Sequence, residues 1–278
     1  MINKIEMSRI ALKIDKLFDS FFTQNIPSKN LQAAMRYATI GGGKKLRPYL
    51  IYTISQKLNV AEETALYVGA CIEMLHAYTL IHDDLPSMDN DDTRRGKPSV
   101  HIKFNEFTAI LAGDALQTEA FYLLSSDNFK IDPQIKLKII KQTAETMGAG
   151  NLISGQMFDL EFAKNISADM ATIKQIHALK TAKLISLCTA IPAILANKDN
   201  EFINKLSVYG ENLGLIYQIV DDIKDSNKNE ETNVVNILGR EEAINKIRKL
   251  DSSCRHILKD LNLSEISSIN NYILVGIL

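Results

Sequence analysis

His82-Asp83-Asp84-Leu85-Pro86-Ser87-Met88-Asp89-Asn90-Asp91-Asp92-Thr93-Arg94-Arg95-Gly96-Lys97-Pro98 closes an apolar run that reaches back to residue 61. In that run apolar residues recur three and four apart, the period of a helix. Pro86 disfavours helical geometry at Leu85, so the helix is expected to stop about there. Asp83 and Asp84 then lie on its last turn. In a continued helix Asp89 would sit about 240° round from Asp83. A break instead lets the chain fold back and bring Asp89 near Asp83.

The same period extends outward in both directions. It predicts helices near 4–24, 29–40, 47–58, 61–85, 104–126, 133–155, 169–196, 200–227, 240–260 and 265–276. Strand-like alternation is nearly absent. Gly41-Gly42-Gly43 is a clear break, and Asp132-Pro133 reads as an N-cap followed by proline at the first helical position. Two polar loops stand out, Pro86 to Lys103 and Ser226 to Asn236. No Pro/Ser linker or composition shift divides the chain. The expectation is an all-α fold, a single large helical bundle over 1–278. The 61–85 and 200–227 helices, apolar on several sides, are candidates for its centre.

Composition narrows the function classes. The 278 residues are 46% hydrophobic and 23% charged, which marks a globular chain. The net charge of -1 gives no overall case for nucleic acid or an anionic membrane. Cys71, Cys188 and Cys254 show neither metal spacing nor a disulfide framework, which suggests a reducing, cytoplasmic setting. Met1 to Phe22 carries charges throughout, with Ile5, Ile10, Leu12, Leu17 and Phe18 at helical spacing; it reads as an amphipathic helix rather than a signal peptide. Leu184 to Ala196 is interrupted by Pro192 and reads as too short to span a bilayer.

A second acidic motif, Gln218-Ile219-Val220-Asp221-Asp222-Ile223-Lys224-Asp225, also ends an apolar helix. Asp221 and Asp225 are four apart and project from one face. Carboxylates at a helix C-terminus oppose the macrodipole, at about 0.3–1 kcal/mol per charge. A bound cation reverses that penalty. Oxygen donors with no His or Cys cluster beside them suit Mg²⁺, which takes one or two carboxylates together with substrate phosphates. Arg94, Arg95 and Lys97 follow the first cluster directly and fit a phosphate-bearing ligand. Either motif taken alone also fits a solvated loop; two of them, each ending an apolar helix, argue for a site.

Further cations flank turns. Gly41-Gly42-Gly43-Lys44-Lys45-Leu46-Arg47-Pro48 pairs exposed glycine backbone with three cations, a setting in which an anion can be approached closely. His177-Ala178-Leu179-Lys180-Thr181 offers another cation and a hydroxyl, although a snorkelling lysine is the plainer reading. His76 and His82 also fit ordinary part-buried histidines.

With these motifs in this order the sequence resembles the short-chain polyprenyl diphosphate synthases, most closely the bacterial farnesyl diphosphate synthases. The markers are Gly42–Pro48, Asp83–Pro98, Ala112-Gly113-Asp114-Ala115-Leu116-Gln117, Gly155-Gln156-Met157-Phe158-Asp159-Leu160, Lys180-Thr181 and Gln218–Asp225. The resemblance implies one polyprenyl synthetase domain of the isoprenoid synthase type with a central active-site cavity. It implies a transferase of isoprene biosynthesis that condenses isopentenyl diphosphate head to tail with dimethylallyl or geranyl diphosphate to give farnesyl diphosphate. About three Mg²⁺ ions per active site are implied, held by Asp83 and Asp89 with Asp84 nearby, and by Asp221 with Asp222 and Asp225. Arg94 and Lys180 would hold the allylic diphosphate. Lys44, Arg47, His76 and Arg95 would hold isopentenyl diphosphate. Thr181 and Gln218 would face the reacting carbons. Tyr78, at the fifth position before Asp83, would set product length, and relatives suggest a homodimer.

Two departures are visible. Aligned on Leu238-Gly239, Glu231 stands where the family carries a lysine, with Lys228 the nearest substitute. The chain given ends Leu274-Val275-Gly276-Ile277-Leu278, without the basic tail common in relatives. Two alternatives stay open: a geranylgeranyl diphosphate synthase, and a weakly active paralogue serving as a partner subunit. A terpene cyclase is disfavoured, because Arg94, Arg95, Lys44 and Arg47 suggest a second diphosphate site.

Overall fold

The computed structural model describes residues 4–23, 26–162, 170–224 and 234–277. It is all-α, apart from one short ribbon among the described residues. The helices are α1 Lys4–Phe22, α2 Lys29–Thr39, α3 Leu46–Lys57 and α4 Glu62–Asp83, then, after the ribbon, α5 Val100–Lys103, α6 Glu106–Ser125, α7 Pro133–Met147 and α8 Leu152–Phe162. There follow α9 Met170–Ile176, a π-helical segment His177–Ala182, α10 Lys183–Leu195, α11 Asn200–Lys224, α12 Val234–Leu238, α13 Arg240–Asp260 and α14 Ser268–Ile273. The ribbon pairs β1 Thr93–Arg94 with β2 Lys97–Pro98, antiparallel, Thr93 facing Pro98 and Arg94 facing Lys97.

Local chemistry sets the helix starts. Ser28 accepts from the Leu31 N–H, Asn105 from Thr108, and Asp199 from Phe202, each relieving an orphan donor of a first turn. Asp132 does the same for Gln134 and Ile135, with Pro133 at the first helical position as expected.

Other expectations need correction. The single helix expected over 133–155 is two, because Gly148 and Gly150 interrupt it and α8 begins at Leu152. Residues 234–236, read as loop, begin α12, and 265–276 is a 3₁₀ turn, Ser264–Ser267, followed by the short α14. The buried stripe of α1 is Met7, Ile10, Ile14, Phe18 and Phe22, whereas Ile5 and Leu12 are exposed. Pro192 lies inside α10 without ending it. The helical run Thr172–Leu195, like α4, is therefore long and apolar enough to cross a membrane by length and composition alone. In each, about two thirds or more of the apolar window is buried inside the protein, 67% and 72%, the pattern of core helices.

Tertiary contacts divide the chain into two compact units, one drawing on 3–56 and 60–140, the other on 57–59 and 141–278. In the first, α4 packs against α1, α2 and α6. Its middle is buried all round, including Val68, Ala70, Cys71, Ile72, Met74 and Leu75. In the second, α11 packs against α10, the π segment, α13 and α14. The two helices that end in aspartates are thus each the hub of a unit. A hub helix is stiffened along its length by burial, so the residues at its end are held in place.

Candidate active site

In the first unit, α4 ends at Asp83 and the chain turns back. The Asp89 N–H donates to the Asp83 carbonyl at 2.9 Å, and Asp91 N–H to the Asp84 carbonyl at 3.2 Å. Asn90, with φ of 53°, takes the left-handed conformation that this reversal needs. The fold-back expected from Pro86 is present. Asp83 is half-buried and Asp89 exposed.

Asp84 behaves differently from its neighbour. It is 2% exposed, and its Oδ1 accepts from Arg94 Nε at 2.8 Å and from Arg94 Nη2. Arg94 Nη2 also donates to Asp91 at 2.9 Å. Burial pushes the Asp84 carboxyl up and Arg94 pulls it back, leaving it raised. The buried pair fixes the ribbon to the end of α4. Arg95 and Gly96, both at positive φ, form the two-residue turn of that ribbon, the geometry of a type I′ hairpin.

The turn points Arg95 at the glycine break. Its Nη2 lies 3.5 Å from His76 Nε2, and a Cβ on Gly43 would collide with its guanidinium. The His76 imidazole is held well below the usual histidine pKa, first by burial, then by Arg47, Arg95, Lys45 and Arg94. The residue as a whole is half-buried. Arg47 Nε is buried and lacks a hydrogen-bond partner. Of the four residues expected on isopentenyl diphosphate, the structure brings Arg47, His76 and Arg95 together, and Lys44 is exposed on the adjoining turn. Beside them lies a cavity of about 100 Å³ between Gly41–Gly43, Leu80, Ile81 and Arg94.

Tyr78 is 3% exposed and packs edge-on to His82, ring centroids 5.8 Å apart. Its hydroxyl is buried with no hydrogen-bond partner, and burial, with a smaller push from Asp83, raises it to about 12. His82 in turn packs against α6, where its Nε2 is 3.1 Å from the Ile110 carbonyl and any Cβ at Gly113 would strike its ring. That contact explains the glycine of the Ala112-Gly113-Asp114 motif.

In the second unit, the π segment carries Lys180 and Thr181. π turns inside helices are rare and recur at functional sites. Gly155 and Gly214 let it sit close against α8 and α11, since a Cβ at either would meet its backbone. Thr181 Oγ1 donates to Gln218 Oε1 at 3.1 Å, and Gln218 Nε2 donates to Asp222 Oδ1 at 3.1 Å. His177 Nε2 lies 3.8 Å from the other Asp222 oxygen. Burial lowers the His177 pKa, and Asp222 and Asp159 oppose the shift. Lys180 Nζ is 2.6 Å from Asp159 Oδ2. Asp221 is half-buried and Asp222 buried. Asp225, Lys228 and Glu231 lie outside the described residues.

The pairings of Asp159 with Lys180 and of His177 with Asp222 were missed in the sequence, as were the contacts of Asp15 and Glu73 with Lys45. One signal was available: Asp159 follows Gly155 by four residues, on the same helical face. Among the described residues no group of three or more His, Cys, Asp or Glu converges as a metal cage. What the folds supply instead is carboxylates at helix ends and cations facing them.

The polyprenyl synthetase family model matches residues 28–247, a span that contains both acidic motifs and the cations that face them. The farnesyl diphosphate synthase of Bacillus subtilis is 38% identical over 214 residues, covering 76% of this chain and 72% of that protein. The farnesyl diphosphate synthase of Escherichia coli is 34% identical over 278 residues, covering 92% and 93%. A crystal structure of an FPP/GFPP synthase from Zymomonas mobilis, 38% identical, superposes with a TM-score of 0.91 over 98% of both chains. The match runs through both aspartate-ended helices and the motifs between them, so the chain belongs to the polyprenyl synthetase family.

Proposed function

We propose that this chain is a magnesium-dependent prenyltransferase that condenses isopentenyl diphosphate head to tail with dimethylallyl or geranyl diphosphate, giving farnesyl diphosphate. The observation that carries the reading is the placing of Arg95 3.5 Å from His76, with a buried Arg47 Nε in the same group that has no protein acceptor. Such a cluster is balanced by an anion of high charge density, and a diphosphate fits. Farnesyl diphosphate synthases recur among the relatives, which disfavours the geranylgeranyl alternative.

The residues suit Mg²⁺. The donors are oxygens only, and two aspartates joined by the Asp83–Asp89 backbone bond offer the one or two carboxylates that Mg²⁺ takes when phosphates and water complete its shell. Asp83, Asp89 and Asp221 are the proposed ligands. Asp84 and Asp222, buried against Arg94 and against Gln218 with His177, act as the frame that orients them. When bound, the metal neutralises charge developing on the leaving diphosphate.

The chain's own groups do the rest. Arg94 and Lys180 hold the allylic diphosphate, and Asp159 keeps Lys180 oriented until substrate arrives. Lys44, Arg47, His76 and Arg95 hold isopentenyl diphosphate. The oxygen dipoles of Thr181 and Gln218, already aligned by their mutual hydrogen bond, favour positive charge on the allylic carbons. Apolar walls exclude water that would quench that charge. The released diphosphate takes the final proton.

We further propose that residues 1–278 act as one catalytic domain and that two copies associate. The second point is supported by the exposed row Phe107, Ile110 and Leu111 on α6, an apolar patch suited to a partner. A reducing cytoplasmic setting accords with three buried free thiols. The deciding experiment incubates the protein with Mg²⁺, isopentenyl diphosphate and each allylic starter, then measures product chain length. Farnesyl diphosphate as main product supports the reading. No turnover with any starter would favour the partner-subunit alternative.

A further inference from the structure

The turn between α2 and α3 and the first residues of α3 carry three cations, and the structure separates them. Lys44 is exposed and Arg47 half-buried, but Lys45 is only 3% exposed. Its ammonium donates to the Thr39 carbonyl on the near side of the turn. It lies 3.8 Å from Asp15 Oδ1 on α1 and 3.6 Å from Glu73 Oε1 on α4. It also sits 5.2 Å from the centroid of the Phe18 ring. Asp15 contributes a second bond to the same turn, its Oδ2 accepting from the Gly41 N–H at 3.0 Å.

Two features distinguish this cluster from an ordinary core ion pair. First, Lys45 holds a backbone φ of 47°, a left-handed conformation uncommon for a residue with a Cβ. The backbone is bent at this residue in the conformation that sends its side chain inward while its neighbours at 44 and 47 keep outward access. Second, the direct hydrogen bonds of Lys45 and Asp15 here go to backbone at the end of α2 and in the turn, at Thr39 and Gly41. The remaining partner, Glu73, precedes His76 by three residues on α4, one helical turn away. The cluster therefore ties the segment bearing Lys44 and Arg47 to the segment bearing His76, the two parts of the cation group described above.

We propose that Lys45 is a positioning residue: through Thr39, Asp15 and Glu73 it sets Lys44 and Arg47 against His76 at the separation that isopentenyl diphosphate requires. The role rests on the proposed placement of that substrate. Lys45 itself does not touch it. An ammonium buried among carboxylates is stable only while all its partners are in place, so loss of the charge frees the turn rather than merely emptying a pocket.

The test compares Lys45→Met, Lys45→Arg and Arg47→Ala by steady-state kinetics, varying isopentenyl diphosphate and geranyl diphosphate separately. Lys45→Met is expected to raise the KM for isopentenyl diphosphate about tenfold, the scale of a displaced charge-assisted hydrogen bond, while kcat and the KM for geranyl diphosphate stay within about twofold. Lys45→Arg is expected to restore most of the loss, because the 3.6 and 3.8 Å separations leave slack for a broader cation. A merely structural lysine would change both Michaelis constants and kcat together, and that result overturns the proposal. Should Lys45→Met fail to fold, Glu73→Gln carries the test, with the same selective rise expected and an unchanged KM overturning it. An Arg47→Ala enzyme with unchanged KM for isopentenyl diphosphate overturns the placement of that substrate and this role with it. A raised KM in Arg47→Ala beside an unchanged one in Lys45→Met overturns the positioning role alone.

Discussion

Asp89 donates its backbone N–H to the carbonyl of Asp83 across 2.9 Å, so two aspartates separated in sequence by a proline-containing turn are brought together through the main chain. The backbone makes this bond, so it survives replacement of either side chain. Replacing one carboxylate is therefore expected to leave the fold in place. Asp83→Ala and Asp221→Ala should each lower turnover by at least about a hundredfold, the scale of losing one electrostatic stabiliser of a leaving group. Turnover at saturating Mg²⁺, with circular dichroism to check folding, tests this. Near wild-type activity in either folded variant would remove that aspartate from the metal site.

His76 predicts a pH dependence of stability. Its folded pKa is depressed by burial and by four neighbouring cations, whereas the unfolded chain titrates at about 6.5. Above that value both states are neutral at this residue and it contributes nothing. Below it the unfolded state takes the proton more readily, so stability falls as pH drops from about 6.5 toward the depressed folded value. His76→Asn should show a smaller loss of urea midpoint between about pH 7 and pH 5. Inorganic pyrophosphate, by adding negative charge, should protect the native protein more than the variant in acid. Identical pH profiles would show that His76 titrates normally.

Tyr78 ties stability to product length. Its ring is buried against His82 and its hydroxyl has no partner, so truncation removes packing without breaking a hydrogen bond. Tyr78→Ala is expected to cost about 3 kcal/mol, within the range for deleting a buried aromatic ring. The space left is expected to admit a longer chain and shift product from farnesyl toward geranylgeranyl diphosphate or beyond. If the variant folds, stays active and still stops at farnesyl diphosphate, the floor of the product site lies elsewhere.

The C-terminal α14 is held by a buried polar chain. Tyr209 Oη donates to Asn270 Oδ1 at 3.0 Å, and Asn270 Nδ2 donates to Asp251 Oδ1 at 2.8 Å, with Asn270 and Tyr209 fully buried. Arg255 extends it to Asp251 and Asn271. Asn270→Leu would leave a phenol and a carboxylate oxygen unpaired, at about 1–3 kcal/mol each. The expected loss is about 2–4 kcal/mol in denaturant unfolding, with kcat at 25 °C nearly unchanged. A loss under about 0.5 kcal/mol would mean that water replaces the amide.

Much of this protein was determined by its sequence alone. Helical period along nearly every segment specified the all-α class, and Pro86 dictated where α4 stops, because both act over a few residues of chain. The candidate residues could be named for the same reason: acidic and basic groups cluster within short motifs. Boundaries read across Gly148–Gly150 and past residue 260 were misplaced, since local helical spacing did not register those breaks. Only the tertiary structure decided which charges face which. Asp84 and Asp222 are turned toward Arg94 and Gln218, Lys180 toward Asp159, and Lys45 toward Asp15 and Glu73. Most of these pairs join different elements, and an ion pair between elements depends on how helices pack, which no local spacing records. Burial likewise separated Lys45 from Lys44, two identical residues side by side: one ammonium is turned inward to carboxylates on α1 and α4 from a left-handed backbone, and the other residue is exposed.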